Sequence, residues 1–328
     1  MLLLTASGST PSVIDAIGEK GGVDCADVAK SLGLVEDFLC RMMRAGEGIK
    51  LLTTADGKFS LTPAGDMLRA DHPGSLRSFM LMINEETKDS WRAAGTTSLT
   101  SGVSGFKEHF KSEFWDWHSK ASRSRQMAQF DGAMKSFSAD IAGSLLVDWA
   151  PPAPDAVVCD VGGGVGHMLI AMAQHYPALK GVVSDLPPVA TRATANIASQ
   201  GLEGRLSAVG ASFFDELPSE LAQCDAFYLK FILHDWSDAD NVSLLKRIRE
   251  VAKPGAKLVT TDFILGSDGA AMEMNKKMMD VNMMASNPAG ARERTVDEYF
   301  SLFSAAGIQA EPKLIKMRDL VSTVEVSL

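Results

Sequence analysis

The chain lacks the features that mark membrane proteins, disulfide scaffolds and nucleic-acid binders. Among its 328 residues no uncharged apolar run reaches the roughly 18 residues needed to cross a bilayer, so no membrane partner is expected. Cysteine is scarce. Cys25, Cys40, Cys159 and Cys224 lie without a CxxC pair and mostly in apolar segments, which suits buried thiols in a reducing compartment better than disulfides or zinc ligands. Basic residues are in deficit, 32 against 41 acidic ones, and the formal charge of −9 opposes a phosphate backbone. The opening MLLLTASGST has neither a basic start nor a long apolar stretch and does not read as a secretory signal. His72, His109, His118, His167 and His175 form no pair at metal-ligand spacing with a third ligand nearby, so no metal is expected. These absences describe a cytoplasmic protein with no nucleic-acid partner.

What is present has the texture of a globular chain. Apolar residues make up 46% and charged ones 22%, and the length suits about two domains. The 17 methionines read as soft core filler. From Pro11 to about Arg77, PSVIDAIGEKG, CADVAKSLG and DFLCRMMRAGEG carry apolar residues at helical spacing. KLLTTADGKFSLT then places two strand-like runs around Asp56-Gly57, a hairpin signal, and Pro63 opens another helix. Helices followed by a ribbon spell a winged helix. Residues 1–90 hold 9 basic against 13 acidic residues, so a helical packing surface is the better reading than a DNA reader. Helices interrupted by GTTSLTSGVSG follow, then an aromatic cluster at Phe110, Phe114, Trp115 and Trp117. The stiff APPAP at 150–154 marks a boundary between domains at 1–150 and 151–328.

Beyond the connector, strands alternate with helices. AVVCDV, KGVVSD, RLSAVG, CDAFYLK and AKLVTTDFIL are the strand-like runs, with helical stretches between them, which implies an α/β fold built on a mostly parallel, doubly wound sheet. EPKLIKM and STVEVSL would close that sheet as a hairpin. The first strand runs into DVGGGVG, with Gly162, Gly164 and Gly166 spaced GxGxG. His167 stands where a dinucleotide fingerprint wants its third glycine, and Asp185 lies about 20 residues on, where a carboxylate grips ribose hydroxyls. The combination suits a nucleoside without bridging phosphates better than NAD.

Four motifs in one order, DVGGGVG, SDLP, YLKFILHDWSD and NPAGARERT, resemble those of the S-adenosylmethionine-dependent small-molecule O-methyltransferases of the caffeate and acetylserotonin type, and the likeness runs through nearly the whole chain. The resemblance implies a class I methyltransferase sheet at 151–328, a helical, winged-helix domain for dimerisation and substrate at 1–150, S-adenosylmethionine as cofactor and a homodimer. It implies that Asp160, Gly162 and Gly164 contact the methionine part of the cofactor, that Asp185 binds its ribose, and that Ser212, Phe213, Lys230 and Trp236 lie near it. Ser212, in GASFF, replaces an acid of the family. His234 matches the family's base, and Asp262 and Glu293 the acids that orient it. Many members have Glu where Asp262 stands, so this side chain is about one methylene shorter. Phe130, Asp131 and Met134 in FDGAM, with Met283, Met284 and Asn287, match acceptor-pocket stretches.

Methyl transfer from a sulfonium needs alignment and a deprotonated acceptor, not a protein nucleophile. A phenol with a pKa near 10 needs a base at neutral pH, and a histidine is suited to that work. The reaction implied is methylation of a hydroxyl on a small, aromatic molecule. S- or N-methylation working by proximity is the near alternative, an NAD-dependent oxidoreductase and a DNA-binding nucleoside sensor the distant ones.

Overall fold

The sheet-forming half and the helical half are built from different sequence periods, and most elements form where the period predicts; of the expected interruption GTTSLTSGVSG, however, only residues 102–104 break the helices, residues 95–101 continuing the preceding one. A computed structural model describes residues 12–18, 21–267, 270–318 and 320–328, the side chains of residues 270 and 271 excepted. The opening decapeptide, Pro11, Glu19 and Lys20, on which the signal and first-helix readings partly rest, lie outside the described residues. The chain divides into two compact units, Met1–Lys88 with Ala121–Ser136, and Asp89–Lys120 with Phe137–Leu328. This division is discontinuous because the helix Ser124–Asp148 contributes residues to both units, whereas the connector at 150–154 is a single cut in the sequence.

In the first unit, helices Val13–Ile17, Cys25–Leu32 and Glu36–Gly48 precede an antiparallel hairpin, β1 (Leu52–Ala55) and β2 (Lys58–Leu61). The side chains of Ser12 and Asp24 cap the first two helices, accepting from the N–H groups of Asp15 and Ala26. Asp56 (φ 51°) and Gly57 (φ 76°) are both left-handed, as a tight two-residue hairpin turn requires. Ile14, Ile17, Met43 and Leu52 form the centre of this core.

In the second unit, β3 (Val157–Val161), β4 (Lys180–Asp185), β5 (Leu206–Gly210), β6 (Ala226–Lys230) and β7 (Lys257–Asp262) are parallel, and β8 (Lys313–Lys316) and β9 (Ser322–Ser327) are antiparallel additions. The order is β5-β4-β3-β6-β7-β9-β8. The terminal hairpin thus closes the sheet as its sequence predicts, with β9 inserted between β7 and β8. On one face Cys159, Val161, Phe227, Leu229 and Leu258 pack against Leu244, Leu245, Ile248, Tyr299 and Phe303 from the helices Asp238–Val251 and Val296–Ala305. No described helix is long and apolar enough to cross a membrane.

The free thiols expected from the sequence are corrected by the structure. Cys25 pairs with Cys40 and Cys159 with Cys224, their Cα atoms 5.4 and 5.8 Å apart. Spacing hid this because the partners meet only in the fold: Cys25 opens one helix and Cys40 lies in the next, while Cys159 and Cys224 sit on and just before the neighbouring strands β3 and β6.

Leu244 is fully buried and Val147 is exposed on its helix. Leu244→Ala should destabilise the fold by about 2–5 kcal/mol and Val147→Ala by less than about 0.5 kcal/mol, read as urea midpoints by tryptophan fluorescence; equal effects would refute the assigned core.

Candidate active site

Parallel strands present their carboxyl ends on one edge, and four adjacent ends carry the polar residues the sequence singles out. Asp185 ends β4, Asp160 and the glycine loop end β3, Lys230 ends β6 and Asp262 ends β7. The strand order reverses between β3 and β6, the switch point where open α/β sheets bind ligands.

The loop after β3 is shaped by close approach. A Cβ on Gly162 (φ 70°) would meet Ile232 Cδ1 at 2.4 Å, and one on Gly163 would meet Asp160 Cγ at 2.5 Å. At Gly164 (φ 59°) a Cβ would meet nothing within 4 Å, so the backbone there borders open space. Gly164 N–H and Leu186 N–H donate to the two carboxylate oxygens of Asp185 at 2.8 and 2.7 Å, fixing that side chain. Asp160 is buried and its Oδ2 has no hydrogen-bond partner. Burial pushes its pKa up to about 7, against the pull of the Lys230 charge. Burial also lowers Lys230 to about 8, opposed by Asp160, Asp262 and Asp235. A buried, unpartnered carboxylate oxygen beside an open glycine backbone is suited to an ammonium group. Ser212 Oγ accepts from Phe214 N–H at 3.2 Å. Phe213 and Phe214 meet the Trp236 ring edge-on at 5.9 and 4.6 Å, giving an aromatic corner near the loop.

Beyond β6 the chain turns sharply. Phe231 adopts φ 57°, a left-handed conformation costly for a bulky residue, and its ring stacks between His234 (5.2 Å, 16°) and Phe263 (5.1 Å, 5°). The strained turn fixes the plane of a buried imidazole. His234 Nδ1 is bonded to Glu293 Oε1 at 2.9 Å and lies 4.0 Å from Asp262 Oδ1, while Nε2 lies 3.5 Å from Asp235 Oδ1. Burial alone would lower the ring's pKa, but the charges of Glu293, Asp235 and Asp262 outweigh it and raise it to about 10. Burial raises Asp235 to about 7 and pushes Asp262 and Glu293 upward, each opposed by the His234 charge. Asp262 Oδ2 accepts from Tyr299 Oη at 2.8 Å and Thr260 Oγ1 at 3.0 Å; Asp262 Oδ1 and Glu293 Oε2 have no partner.

The histidine, Asp262 and Glu293 of the sequence reading thus come together, with Glu293 bonded to the ring and Asp262 beside it. Arg292 and Arg294, which flank Glu293 in the chain, bond Asp238. Asn287 bonds Asp235 Oδ1, and Met283 is buried whereas Met284 is half exposed. Phe130, Asp131 and Met134 are half-buried in the first compact unit, apart in sequence from the stretch at 283–287 in the second. Sequence reasoning missed Asp235, although it adjoins His234, and Tyr299 and Arg294. Arg294 is fully buried and donates to the carbonyls of Leu233 (2.6 Å) and Trp236 (2.8 Å), clamping both ends of the His234 loop. An arginine immediately before an N-cap threonine carries no sequence signal of burial.

Comparison with known proteins identifies the family. Residues 94–309 match the family model of the O-methyltransferase domain, and the chain belongs to that family and is a methyltransferase. Phenazine O-methyltransferase PhzM of Lysobacter antibioticus is 29% identical over 87% of this chain and 81% of its own. 8-Amino-8-demethylriboflavin N,N-dimethyltransferase of Streptomyces davaonensis is 32% identical over 86% of this chain and 79% of its own. The crystal structure of NcsB1, an O-methyltransferase from neocarzinostatin biosynthesis in complex with S-adenosylmethionine and 2-hydroxy-5-methyl naphthoic acid, matches with a TM-score of 0.78 at 28% identity, covering 96% of this chain and 92% of that one. Membership in this family sets the oxidoreductase alternative aside.

The charge cluster makes stability depend on pH. His234, at about 10 in place of its ordinary 6.5, contributes stability that is complete below 6.5 and is lost as the pH rises through 10. Lys230, at about 8 in place of 10.5, runs the other way, its contribution present above 10.5 and lost as the pH falls through 8. His234→Gln removes the first effect, and with it the pull of the ring's charge on Asp235, Asp262 and Glu293, and leaves the burial of Lys230 in place. Wild type should therefore lose more stability than H234Q between about pH 7 and 9; parallel urea midpoints over that range would show that the cluster does not hold the proton.

Proposed function

We propose that this methyltransferase moves a methyl group from S-adenosylmethionine to a hydroxyl of a small aromatic molecule, with His234 as general base. The observation that carries the reading is a buried imidazole whose Nδ1 is engaged by Glu293, leaving Nε2 for proton exchange at the strand ends that also bear the glycine loop. S-Adenosylmethionine supplies an electrophilic methyl carbon on a positively charged sulfur, so the protein needs no nucleophile. Asp160 would take its ammonium, with Gly162 and Gly164 allowing close approach. Asp185, pinned by two N–H groups, would bind the ribose hydroxyls. Phe213 and Trp236 would border the adenine, Lys230 would lie near the cofactor, and Ser212 would offer a hydroxyl where the family has an acid.

A phenol with a pKa near 10 keeps its proton at neutral pH, so its methylation calls for a base beside the hydroxyl. The surrounding carboxylates hold the ring as imidazolium at neutral pH, so it serves as base after releasing that proton to solvent, a release that a bound sulfonium beside the cluster favours. Glu293 and Asp262 stabilise the imidazolium that forms on the next proton transfer. Phe130, Asp131, Met134, Met283, Met284 and Asn287 are the residues proposed to face the acceptor. A second reading, N-methylation, is favoured by the identity to an N,N-dimethyltransferase, and a neutral amine would need no base.

The assignment extends to a homodimer in which residues 1–150 pack between copies and residues 151–328 carry the reaction. Met274, Met278 and Val281 form an exposed apolar stripe at helical spacing that suits burial against a second copy. Light scattering should give the mass of two chains; the mass of one would remove this element.

Labelled S-adenosylmethionine with a panel of phenols and amines tests the reaction. His234→Ala should lower turnover on a phenol by about 100-fold or more while calorimetry finds S-adenosylhomocysteine bound within about 2-fold of wild type. Unchanged turnover on a phenol would remove the base, and unchanged turnover confined to amines would favour the second reading.

A further inference from the structure

We propose that Tyr299 is a positioning residue for proton transfer: its hydroxyl holds the Asp262 carboxylate so that one oxygen faces the His234 ring without bonding it. The inference rests on His234 being the base, and deepens that reading.

The geometry assigns the two oxygens of Asp262 different work. Oδ2 takes both available donors, Tyr299 Oη at 2.8 Å and Thr260 Oγ1 at 3.0 Å, and Oδ1 is left without a hydrogen bond, 4.0 Å from His234 Nδ1. Among the described residues Asp262 is the one hydrogen-bond partner of the Tyr299 hydroxyl, and both side chains are fully buried. A phenylalanine would fill the same space, as Phe303 does one turn later on the helix Val296–Ala305. The hydroxyl therefore has a use that packing does not explain, because a buried O–H is retained where it is satisfied. An aspartate, a methylene shorter than glutamate, does not bond a ring nitrogen already occupied by Glu293; pinned from behind by Tyr299 and Thr260, it acts on the ring through its charge alone.

The groups facing His234 are Glu293, Asp235 and Asp262; those facing Asp262 are His234, Arg294, Tyr299, Thr260, Glu293 and Lys230. The Tyr299 and Thr260 bonds favour the charged form of Asp262, and that charge favours the protonated ring. Without the hydroxyl, Asp262 is more readily protonated, less charge stands beside the ring, and the ring binds its proton less tightly.

The test is an NMR titration of histidine-labelled full-length protein loaded with S-adenosylhomocysteine, the His234 signal assigned by its loss in H234Q. Tyr299→Phe should lower the apparent pKa of His234 by about half a unit or more, roughly a 3-fold loss of proton affinity, with S-adenosylhomocysteine affinity within about 2-fold of wild type. In an Asp262→Asn background the same Tyr299→Phe change should add nothing, since the effect passes through the carboxylate. An unchanged or raised His234 pKa in folded Y299F overturns the proposal, as does an equal shift in the Asp262→Asn background. A Y299F chain that fails to fold also overturns it, because the hydroxyl would then be structural. Wild-type turnover in H234A, with the Y299F shift present, would instead remove the base and leave the positioning intact.

Discussion

A buried imidazole surrounded by carboxylates that cannot all carry their charge is the constraint on which the rest of the second unit depends. Water would solvate these groups cheaply; burial makes each unpaired charge expensive. Here burial raises the carboxyl groups and their mutual charge raises the ring, so protons are shared within one cluster instead of being assigned to single residues. Such a cluster is stable only if its members are held. Glu293 bonds the ring, Asn287 bonds Asp235, and Tyr299 and Thr260 bond Asp262.

One short stretch does most of this holding. Between Asn287 and Tyr299 the chain supplies a partner for Asp235, the carboxylate on His234, the guanidinium that clamps the His234 loop and the hydroxyl on Asp262. Its path is fixed at both ends. Leu265 N–H, just past β7, donates to Arg294 carbonyl oxygen at 2.9 Å, and Thr295 with Glu298 forms a capping box that starts the next helix. The stretch is therefore tied to the strand that carries Asp262 and to the helix that carries Tyr299, and the acid–base groups keep their spacing as one body.

The periodic parts of this arrangement were legible in the sequence. Apolar runs of five or six residues gave the strands, Asp56-Gly57 gave the hairpin turn, and the same runs put Asp160, Asp185 and Asp262 at strand ends and His234 just past another. The non-periodic parts were not. Tyr299 reads as one apolar position on an amphipathic helix, and nothing local says its hydroxyl meets a carboxylate 37 residues away. Arg294 reads as a surface charge. The cysteine pairs were misread for the same reason: pairing across 65 residues is set by which strands are neighbours, and the sequence shows that only after the topology is known. Long-range polar contacts carry no period.

Two substitutions against the resembling family fall on opposite sides of the site and have different physical consequences. At position 212 a hydroxyl stands where the resembling family has a carboxylate, and it is already engaged by the Phe214 N–H beside the aromatic corner of Phe213, Phe214 and Trp236. At position 262 the carboxylate is kept but shortened, and it stands as a charge 4.0 Å from the ring nitrogen without a bond to it. Coulombic interaction falls slowly with distance in a buried site, whereas a hydrogen bond is lost within a few tenths of an ångström. The shorter acid therefore keeps most of its influence on the proton affinity of His234 while leaving Nδ1 to Glu293 alone, which separates the orientation of the ring from the tuning of its basicity.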